Sequence, residues 1–490
     1  MANSASITEL RADSARAENS QREMGGEAPP GAPAAGRGDP RVAGLDADVI
    51  VVGGGLAGLQ AARRMVAKGL RTIVLEARDE VGGRTKTVEV GGHRFDVGGQ
   101  WTGPGQPRMY ALIDELGLST TPTYSKGKRI LDLRGAISTY SGMIPRVNPW
   151  TLIVAQVGIW KIDRLCAQVP KDNPWDCPRA VEWDGMTALD WAKRNLRNDS
   201  VIAMVNGAVR VIFGTDMANL SFLHFLHYLH SGGGFAKLVE SHDGQQDRWV
   251  VGGAQQLCTG MVPLAGTVHT GAPVRKITQD GDRVSVVSDK GTFTAKRVVV
   301  TVPIALADRI QYEPPLPTMR DQMTQRAGMG ATIKVLALYD RAFWREAGLS
   351  GESVSTDLGT VTFDDTTPGG QAALLMFVTG SPARGWSERP AEERRRFVLD
   401  TLVRYFGEQA RTPTHYLEND WAAEPFILGA PIATFPPGTL SAFGPALRAP
   451  VGRIHWAGTE TALDSTGFME GALESGDRVA QEVLSLVEVA

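Results

Sequence analysis

The chain has 490 residues, enough for about two domains, and 42% hydrophobic with 21% charged residues is ordinary for a soluble globular protein. A net charge of -3 argues against nucleic acid or an anionic membrane as a partner, and no apolar run reaches the roughly 18 residues that span a bilayer. The three cysteines, Cys166, Cys177 and Cys258, build neither a disulfide framework nor a zinc cluster, so a cytoplasmic location and no metal are expected.

Residues 1–45 mix charges with a run rich in Gly, Pro and Ala, and read as a disordered extension without a signal-peptide core. Next comes the buried strand Asp48-Val49-Ile50-Val51-Val52. It enters the turn Gly53-Gly54-Gly55-Leu56-Ala57-Gly58, an apolar-periodic helix over 59–70, and a second strand, Thr72-Ile73-Val74-Leu75-Glu76. Gly53 turns the chain out of the strand, Gly55 lets backbone approach a pyrophosphate, and Gly58 lets the helix sit close on the sheet. The free N–H groups of the helix start face the phosphates. Glu76 ends the second strand, about 20 residues on, where a carboxylate accepts ribose hydroxyls. That carboxylate argues for a dinucleotide with a free 2′-hydroxyl and against NADP. A second turn, Val81-Gly82-Gly83-Arg84, follows.

Strand-like 85–90 and 94–97 lead to Gly98-Gly99-Gln100-Trp101 and a helix over 107–116. From 123 to 247 the pattern is helical, with helices over 150–169, 187–197, 201–213 and 220–230. Strands return over 248–322, including 273–277, a hairpin of 283–288 with 292–295, and 296–302. Strands at 332–338 and 373–378 and a helix over 391–406 mark a second non-nucleotide block, 323–423. A strand at 453–457, Gly458-Thr459-Glu460 and a helix from about 470 close the chain. The expected architecture is α/β. A Rossmann-like dinucleotide domain is assembled from 46–122, 248–322 and 424–487, and an α+β substrate domain from 123–247 and 323–423. A cofactor held between two domains fits this layout.

The motifs together resemble the FAD-dependent amine oxidases, the monoamine oxidase group, over 47–484. The carriers are the glycine turn, Leu75-Glu76-Ala77-Arg78-Asp79 with Gly82-Gly83-Arg84, Gly98-Gly99-Gln100-Trp101 and Ala331-Thr332-Ile333-Lys334. Phe435-Pro436-Pro437-Gly438, Gly458-Thr459-Glu460-Thr461 and Gly467-Phe468-Met469-Glu470-Gly471-Ala472 complete the order. Within the group the chain looks most like the soluble bacterial branch that includes cyclohexylamine oxidase. The resemblance implies FAD bound through Gly53, Gly55, Ala57, Gly58, Glu76, Ala77, Arg78, Arg84, Gly98, Gly99, Gln100, Trp101, Val274, Trp421, Gly458, Glu460 and Met469. Glu76 would hold the adenosine ribose, Arg84 and Arg78 the phosphate charge, and Val274 the adenine through its backbone. Glu460 would bind the ribityl and phosphate end, and Met469 would offer its N–H to the flavin ring. Trp421 would pack near that ring.

Lys334 lies between Ile333 and Val335 in an apolar strand, where the resemblance makes it the catalytic lysine that holds a water near the flavin and favours reaction with oxygen. The position aligned with a flavin-anchoring cysteine is Ala430, so FAD is expected to be non-covalent. The aligned aromatic pair before the flavin is Pro431 and Phe468; with Val361 and Phe377 these form the expected substrate pocket. Loss of one aromatic face favours an aliphatic or alicyclic amine. The implied reaction takes such an amine to an imine and then an aldehyde or ketone, with O2 reduced to hydrogen peroxide. A homodimer is the expected assembly. An L-amino-acid oxidase, a flavin dehydrogenase passing electrons to a protein, and a non-catalytic flavin-bearing binding protein remain as alternatives.

His224, His227 and His230 recur every third residue, but at roughly 100° per residue the outer two point about 120° apart, which suits a helix face better than a metal. Asp364-Asp365 precede Thr366-Thr367-Pro368-Gly369-Gly370 and read as a loop turn. Phe222, Phe225, Leu226 and Leu229 read as core. Arg210 would bind a carboxylate in an amino-acid oxidase, but reads better as a solvated or capping arginine.

Overall fold

The computed structural model describes residues 44–142, 147–240 and 243–487; the expected N-terminal extension lies outside the described residues except at its last two positions. A five-stranded parallel sheet forms the nucleotide-binding framework. Its strands, in spatial order, are Thr267–His269, Thr72–Leu75, Val49–Val52, Arg297–Val300 and Ile454–Trp456. Strands from three distant stretches of chain thus build one sheet.

Alternation along Val49–Val52 explains the layers. Val49 and Val51 face the helices Leu56–Val66 and Met469–Leu484, meeting Leu59, Ala61, Leu473 and Val479. Ile50 and Val52 face the opposite way, onto Ile277, Val284 and Val286 of a four-stranded sheet. A strand buried on both faces must be a continuous apolar run, as this one is. Gly58 brings the first helix onto the sheet: a Cβ there would lie 2.0 Å from the Gly53 carbonyl oxygen. Gly476 does the same between the two helices, because a Cβ there would lie 2.7 Å from the Ala57 carbonyl oxygen.

The second region is built on a seven-stranded sheet and a packed helical block. The sheet order is His415–Asp420, Thr332–Tyr339, Ala372–Thr379, Thr360–Asp364, Leu349–Ser355, Lys128–Leu133 and Ala136–Tyr140. Thr332–Tyr339 is buried along its whole length. Its odd-numbered residues Val335 and Ala337 pack on one side with Trp344 and Leu402. Leu336 and Leu338 pack on the other with Phe363 and Leu375, and the period of two puts Lys334 on that side, 5.5 Å from the rings of Trp101 and Phe377.

Two readings of the sequence are corrected here. The stretch 123–247 is not helical throughout, since Lys128–Leu133 and Ala136–Tyr140 pair as a hairpin and extend the seven-stranded sheet. Arg134 and Gly135 both take positive φ at its turn, 54° and 87°. Leu349–Ser355 and Thr360–Asp364 were missed as strands because the hydroxyl residues Ser350, Ser353, Ser355, Thr360 and Thr362 take buried positions and break the apolar signal. Ser353 and Thr362 join through their hydroxyls at 2.7 Å, inside the core.

The helical block follows its caps. Asn198 accepts from the N–H groups of Ser200 and Val201 to start Asp199–Phe213, and Ser221 accepts from His224 to start Phe222–Ser231. Phe222, Phe225, Leu226 and Leu229 are fully buried there, as expected.

Candidate active site

A cavity of about 430 Å³ opens at the carboxyl ends of the parallel strands and runs to Thr332 and Lys334 of the buried strand Thr332–Tyr339. That is where open α/β sheets place ligands. Its floor at the sheet end is made of glycine. A Cβ on Gly55 would meet only backbone of Gly82 and Gly83, the nearest atom at 3.6 Å, and one on Gly83 would meet Gly55 at 3.3 Å, so any side chain here would fill the cradle. Gly55 is also the N-cap of Leu56–Val66, with no side-chain cap and no acid in the first turn. The positive end of the helix is thereby left to face the cavity.

Glu76 stands beside this cradle. Its Oε2 accepts the Gly54 N–H at 2.6 Å and its Oε1 the Arg78 N–H at 2.9 Å. Burial raises its carboxyl above the ordinary range, although these N–H groups oppose the shift. Gly53, Ala57, Ala77 and Val274 line the same end of the cavity.

Lys334 organises the other end. Its Nζ donates to the Gly98 carbonyl at 3.0 Å and to Gln100 Oε1 at 2.5 Å. Gln100 Nε2 in turn donates to Asp365 Oδ1. Asp96 lies close enough to interact electrostatically with both Lys334 and Asp365, while accepting from Thr87 Oγ1 at 2.6 Å and from the Ala254 N–H at 3.0 Å. Burial drives the lysine down to about 8 against the pull of both acids. Burial likewise pushes Asp365 up to about 7 and Asp96 up to about 6. A lysine that titrates near neutrality beside a cavity is suited to proton and charge work.

Around it stand Trp101, Phe363 and Phe377, with ring centroids 5.0 to 6.4 Å apart. Pro431 and Phe468 close the pocket from the other side. Tyr228 stacks on Phe468 at 5.7 Å and 30° and adds a second aromatic ring to this wall. Gly98, Gly99, Trp421, Gly458 and Met469 complete the wall here, with Trp421 fixed by its Nε1 donating to the Val97 carbonyl at 2.8 Å. Met469 begins the helix Met469–Leu484, whose N-terminus has no side-chain cap.

Four expected site residues do not line the cavity. Gly58 acts underneath it, in the helix-to-sheet contact. Arg78 points back into the protein, its Nη2 donating to the Gly83 carbonyl at 2.8 Å. Glu460 stands behind Arg84: its two oxygens pair with Arg84 Nη1 at 2.5 Å and Nη2 at 3.0 Å, so Arg84 and not Glu460 reaches the wall. Val361 lies behind Phe363, two residues further along the same face of its strand.

The structure also supplies what sequence reasoning missed. Asp364 and Asp365 are buried, not a solvated turn. Asp364 pairs with Arg345 at 2.5 and 2.7 Å, and Asp365 joins the lysine network. Val211, Ile212 and Tyr228 line the pocket from helices that read only as core. No sequence signal separates a wall from a core position on such helices. The three histidines are engaged with backbone: His224 Nδ1 accepts from Phe435 N at 3.1 Å, His227 Nε2 meets the Lys171 carbonyl at 2.9 Å, and His230 Nδ1 the Val169 carbonyl at 2.8 Å. Arg210 is occupied by Asp216 at 2.6 Å and lies off the cavity wall. Among the described residues no helix is long and apolar enough to cross a membrane.

Comparison with known proteins agrees with this geometry. The family described as flavin containing amine oxidoreductase matches residues 56–484. A putrescine oxidase of Kocuria rosea is 38% identical over 459 residues, 90% of this chain and 95% of the relative. The flavin-containing amine oxidase B of Sus scrofa is 36% identical over 447 residues, 89% and 86%. The solved cyclohexylamine oxidase of Brevibacterium oxydans IH-35A superposes with a TM-score of 0.87 at 32% identity, covering 90% of this chain and 99% of that one. A family model matching 56–484 and relatives above 30% identity over most of their length show that the chain is a member of the flavin containing amine oxidoreductase family, an amine oxidase that uses FAD.

Proposed function

We propose that this protein oxidises a hydrophobic monoamine, aliphatic or alicyclic, to its imine and passes the electrons to O2. The observation that carries the substrate class is the charge of the wall. Among the described residues lining the cavity the only carboxylate is Glu76, which lies at the glycine cradle. The wall near Lys334 is Val211, Ile212, Tyr228, Phe363, Phe377 and Phe468. A diamine would leave its second ammonium without a counter-ion there, at a desolvation cost of several kcal/mol, on the order of what a buried unpaired ion incurs.

FAD fits the residues present. Glu76 would accept the adenosine ribose hydroxyls, the Gly55 helix start and Arg84 would face the pyrophosphate, and Val274 would border the adenine. Gly98, Gly99, Gln100, Trp101, Trp421 and Met469 would surround the flavin ring, with Glu460 holding Arg84 from behind. Attachment is non-covalent: Ala430 lines the cavity without a thiol, and none of the three cysteines reaches the wall. Bound FAD supplies the two-electron acceptor for the C–H bond next to nitrogen and the donor for oxygen.

The chain's own groups do the rest. The apolar walls disfavour an ammonium ion, so the amine enters neutral, with its nitrogen lone pair available. Gly98 and Gln100 hold two Nζ positions of Lys334, leaving the last to order a water where oxygen reacts. Water that reaches the released imine yields the aldehyde or ketone and ammonia. The three unpaired, buried cysteines support a reducing compartment, the cytoplasm.

An L-amino-acid oxidase needs a cation for the substrate carboxylate, and Arg210 is already paired with Asp216 away from the wall. Anaerobic bleaching of the flavin by cyclohexylamine, by its α-carboxylated analogue and by putrescine tests the assignment. The plain amine is expected to lead each of the others in rate over affinity by at least about tenfold, roughly 1.4 kcal/mol. A faster reaction with the carboxylated amine or the diamine would reject it.

A further inference from the structure

We propose that Asp365 is a positioning residue for Lys334: through the Gln100 amide it fixes which way the last Nζ position of the lysine faces, and its charge keeps that position an N–H. The proposal rests on the reading that Lys334 serves the oxygen end of the reaction.

The argument begins with hydrogen-bond inventory. Nζ carries three positions besides its carbon. Two are held by acceptors that cannot donate, the Gly98 carbonyl at 3.0 Å and Gln100 Oε1 at 2.5 Å. Among the described residues no acceptor takes the third, and Lys334 lines the cavity. In the ammonium form it is an N–H; in the amine it is a lone pair. The two forms order a cavity water in opposite senses.

Gln100 decides whether the first two contacts hold. A primary amide has one accepting end and one donating end. Gln100 has the donor Lys334 on one side and Asp365 Oδ1 on the other. An ionised carboxylate only accepts, so the amide has one orientation that satisfies both neighbours. Without that charge the amide is free to turn its NH2 toward the lysine, donor against donor. Gln100 is 3% exposed, so water does not step in to repair the loss.

The neighbouring charges mark Asp365 as the acid in this role. Asp364, next in sequence, is held by Arg345 on both oxygens and by Trp344 Nε1 at 2.7 Å. Arg345 therefore serves Asp364. Asp96 faces the lysine from the strand His93–Asp96 but is anchored by Thr87 and the Ala254 N–H, and Arg94 acts on it electrostatically. The strands on either side of Thr332–Tyr339 place Phe377 and Asn419 opposite Lys334, neither of them charged. Asp365 is the acid linked to the lysine by hydrogen bonds, and both it and the lysine are moved toward neutrality by burial. A change in one then shifts the other, as in a coupled pair.

The test reads the lysine directly. Lysine labelled at 13Cε and 15Nζ is titrated by NMR in the FAD-loaded enzyme, with the Lys334 signal assigned by its loss in Lys334→Met. Asp365→Asn is expected to lower the Lys334 midpoint by about one unit or more, a tenfold change in its proton equilibrium. Asp365→Glu is expected to recover part of that shift. The acid limb of the pH profile for flavin reoxidation should disappear in Asp365→Asn, while the rate of anaerobic reduction by amine changes little. An unchanged lysine midpoint in folded, yellow Asp365→Asn overturns the proposal. Should that variant fail to fold, Gln100→Leu severs the relay with both charges retained, and its lysine midpoint must also fall; an unchanged value there is equally decisive. If Lys334→Met reoxidises normally, the oxygen role of the lysine fails, yet the titration still decides whether Asp365 governs it.

Discussion

Removing Arg84 separates holding the fold from holding the cofactor. Arg84 and Glu460 form a two-pronged pair at 2.5 and 3.0 Å, with the Glu460 side chain 3% exposed. Burial opposes the glutamate charge, but Arg84 outweighs it, and the carboxyl lies below its ordinary value. Arg84→Leu strands that carboxylate, and breaking a buried pair by removing one partner costs about 3–5 kcal/mol. The double variant Arg84→Leu/Glu460→Leu strands no charge. It leaves the Ala433 N–H, which donates to Glu460 at 3.2 Å, and the Pro431 carbonyl, 2.8 Å from Arg84, to find other partners. At roughly 1 kcal/mol or somewhat more for each, the double variant should recover half or more of the lost stability. FAD affinity should not recover, because the cation proposed to face the pyrophosphate is still missing; a loss of at least about tenfold, ~1.4 kcal/mol, is expected in both variants. Urea unfolding of the flavin-free protein reads the first quantity and flavin fluorescence titration the second. A double variant that regains full FAD affinity along with stability would refute the placement of Glu460 as a support and Arg84 as the contact. Equal instability of single and double variants would refute the energetics.

Other outcomes follow from the same geometry. Lys334→Met should slow flavin reoxidation by at least about tenfold and leave anaerobic reduction within about threefold, because the lysine serves the oxygen step; stopped-flow measurement of both half-reactions would expose equal slowing, which contradicts that role. Acid precipitation of the holoenzyme should give a colourless pellet and a yellow supernatant, and a yellow pellet would contradict the Ala430 argument. Gly58→Ala places a Cβ about 2.0 Å from the Gly53 carbonyl; it should lose about 1–3 kcal/mol in thermal unfolding and weaken FAD binding as the helix lifts off the sheet. Glu460 has a depressed carboxyl, so its contribution to stability is present above its unfolded value of about 4.5 and is lost as pH falls through the lower folded value. Acid unfolding should show this limb in the native chain and lack it in Glu460→Gln, followed by circular dichroism against pH.

The parallel sheet was the most legible part of the sequence. Val49–Val52 is apolar on both faces, and its glycine turn obeys a spacing that steric contact with Gly53 enforces at Gly58. The seven-stranded sheet was only half legible. Thr332–Tyr339 announces itself by apolar residues, but Leu349–Ser355 buries hydroxyls, Ser353 pairing with Thr362 of the next strand, and so reads as a loop. At the site, backbone-shaping glycines and Lys334 stood out because their residue types are unusual where they occur. Glu460 and Arg78 were placed one layer too far forward, since spacing fixes where a residue sits along the chain but not which way its side chain turns. Asp365 was passed over because a Thr-Pro-Gly run follows it. Its burial depends on Gln100, 265 residues away in sequence. Tyr228 was hidden for a related reason, because one helical face supplies both core and wall.

In the proposed function this chain oxidises a hydrophobic monoamine with bound FAD and hands the electrons to oxygen. One anaerobic single turnover tests it most directly: enzyme is mixed with cyclohexylamine, carbonyl product is quantified against flavin bleached, and peroxide is measured when O2 is admitted. About one cyclohexanone is expected for each flavin reduced and about one hydrogen peroxide for each flavin reoxidised, as two-electron chemistry through one cofactor requires. A flavin that no monoamine bleaches, or one whose bleaching yields no ketone and whose return yields no peroxide, would contradict it.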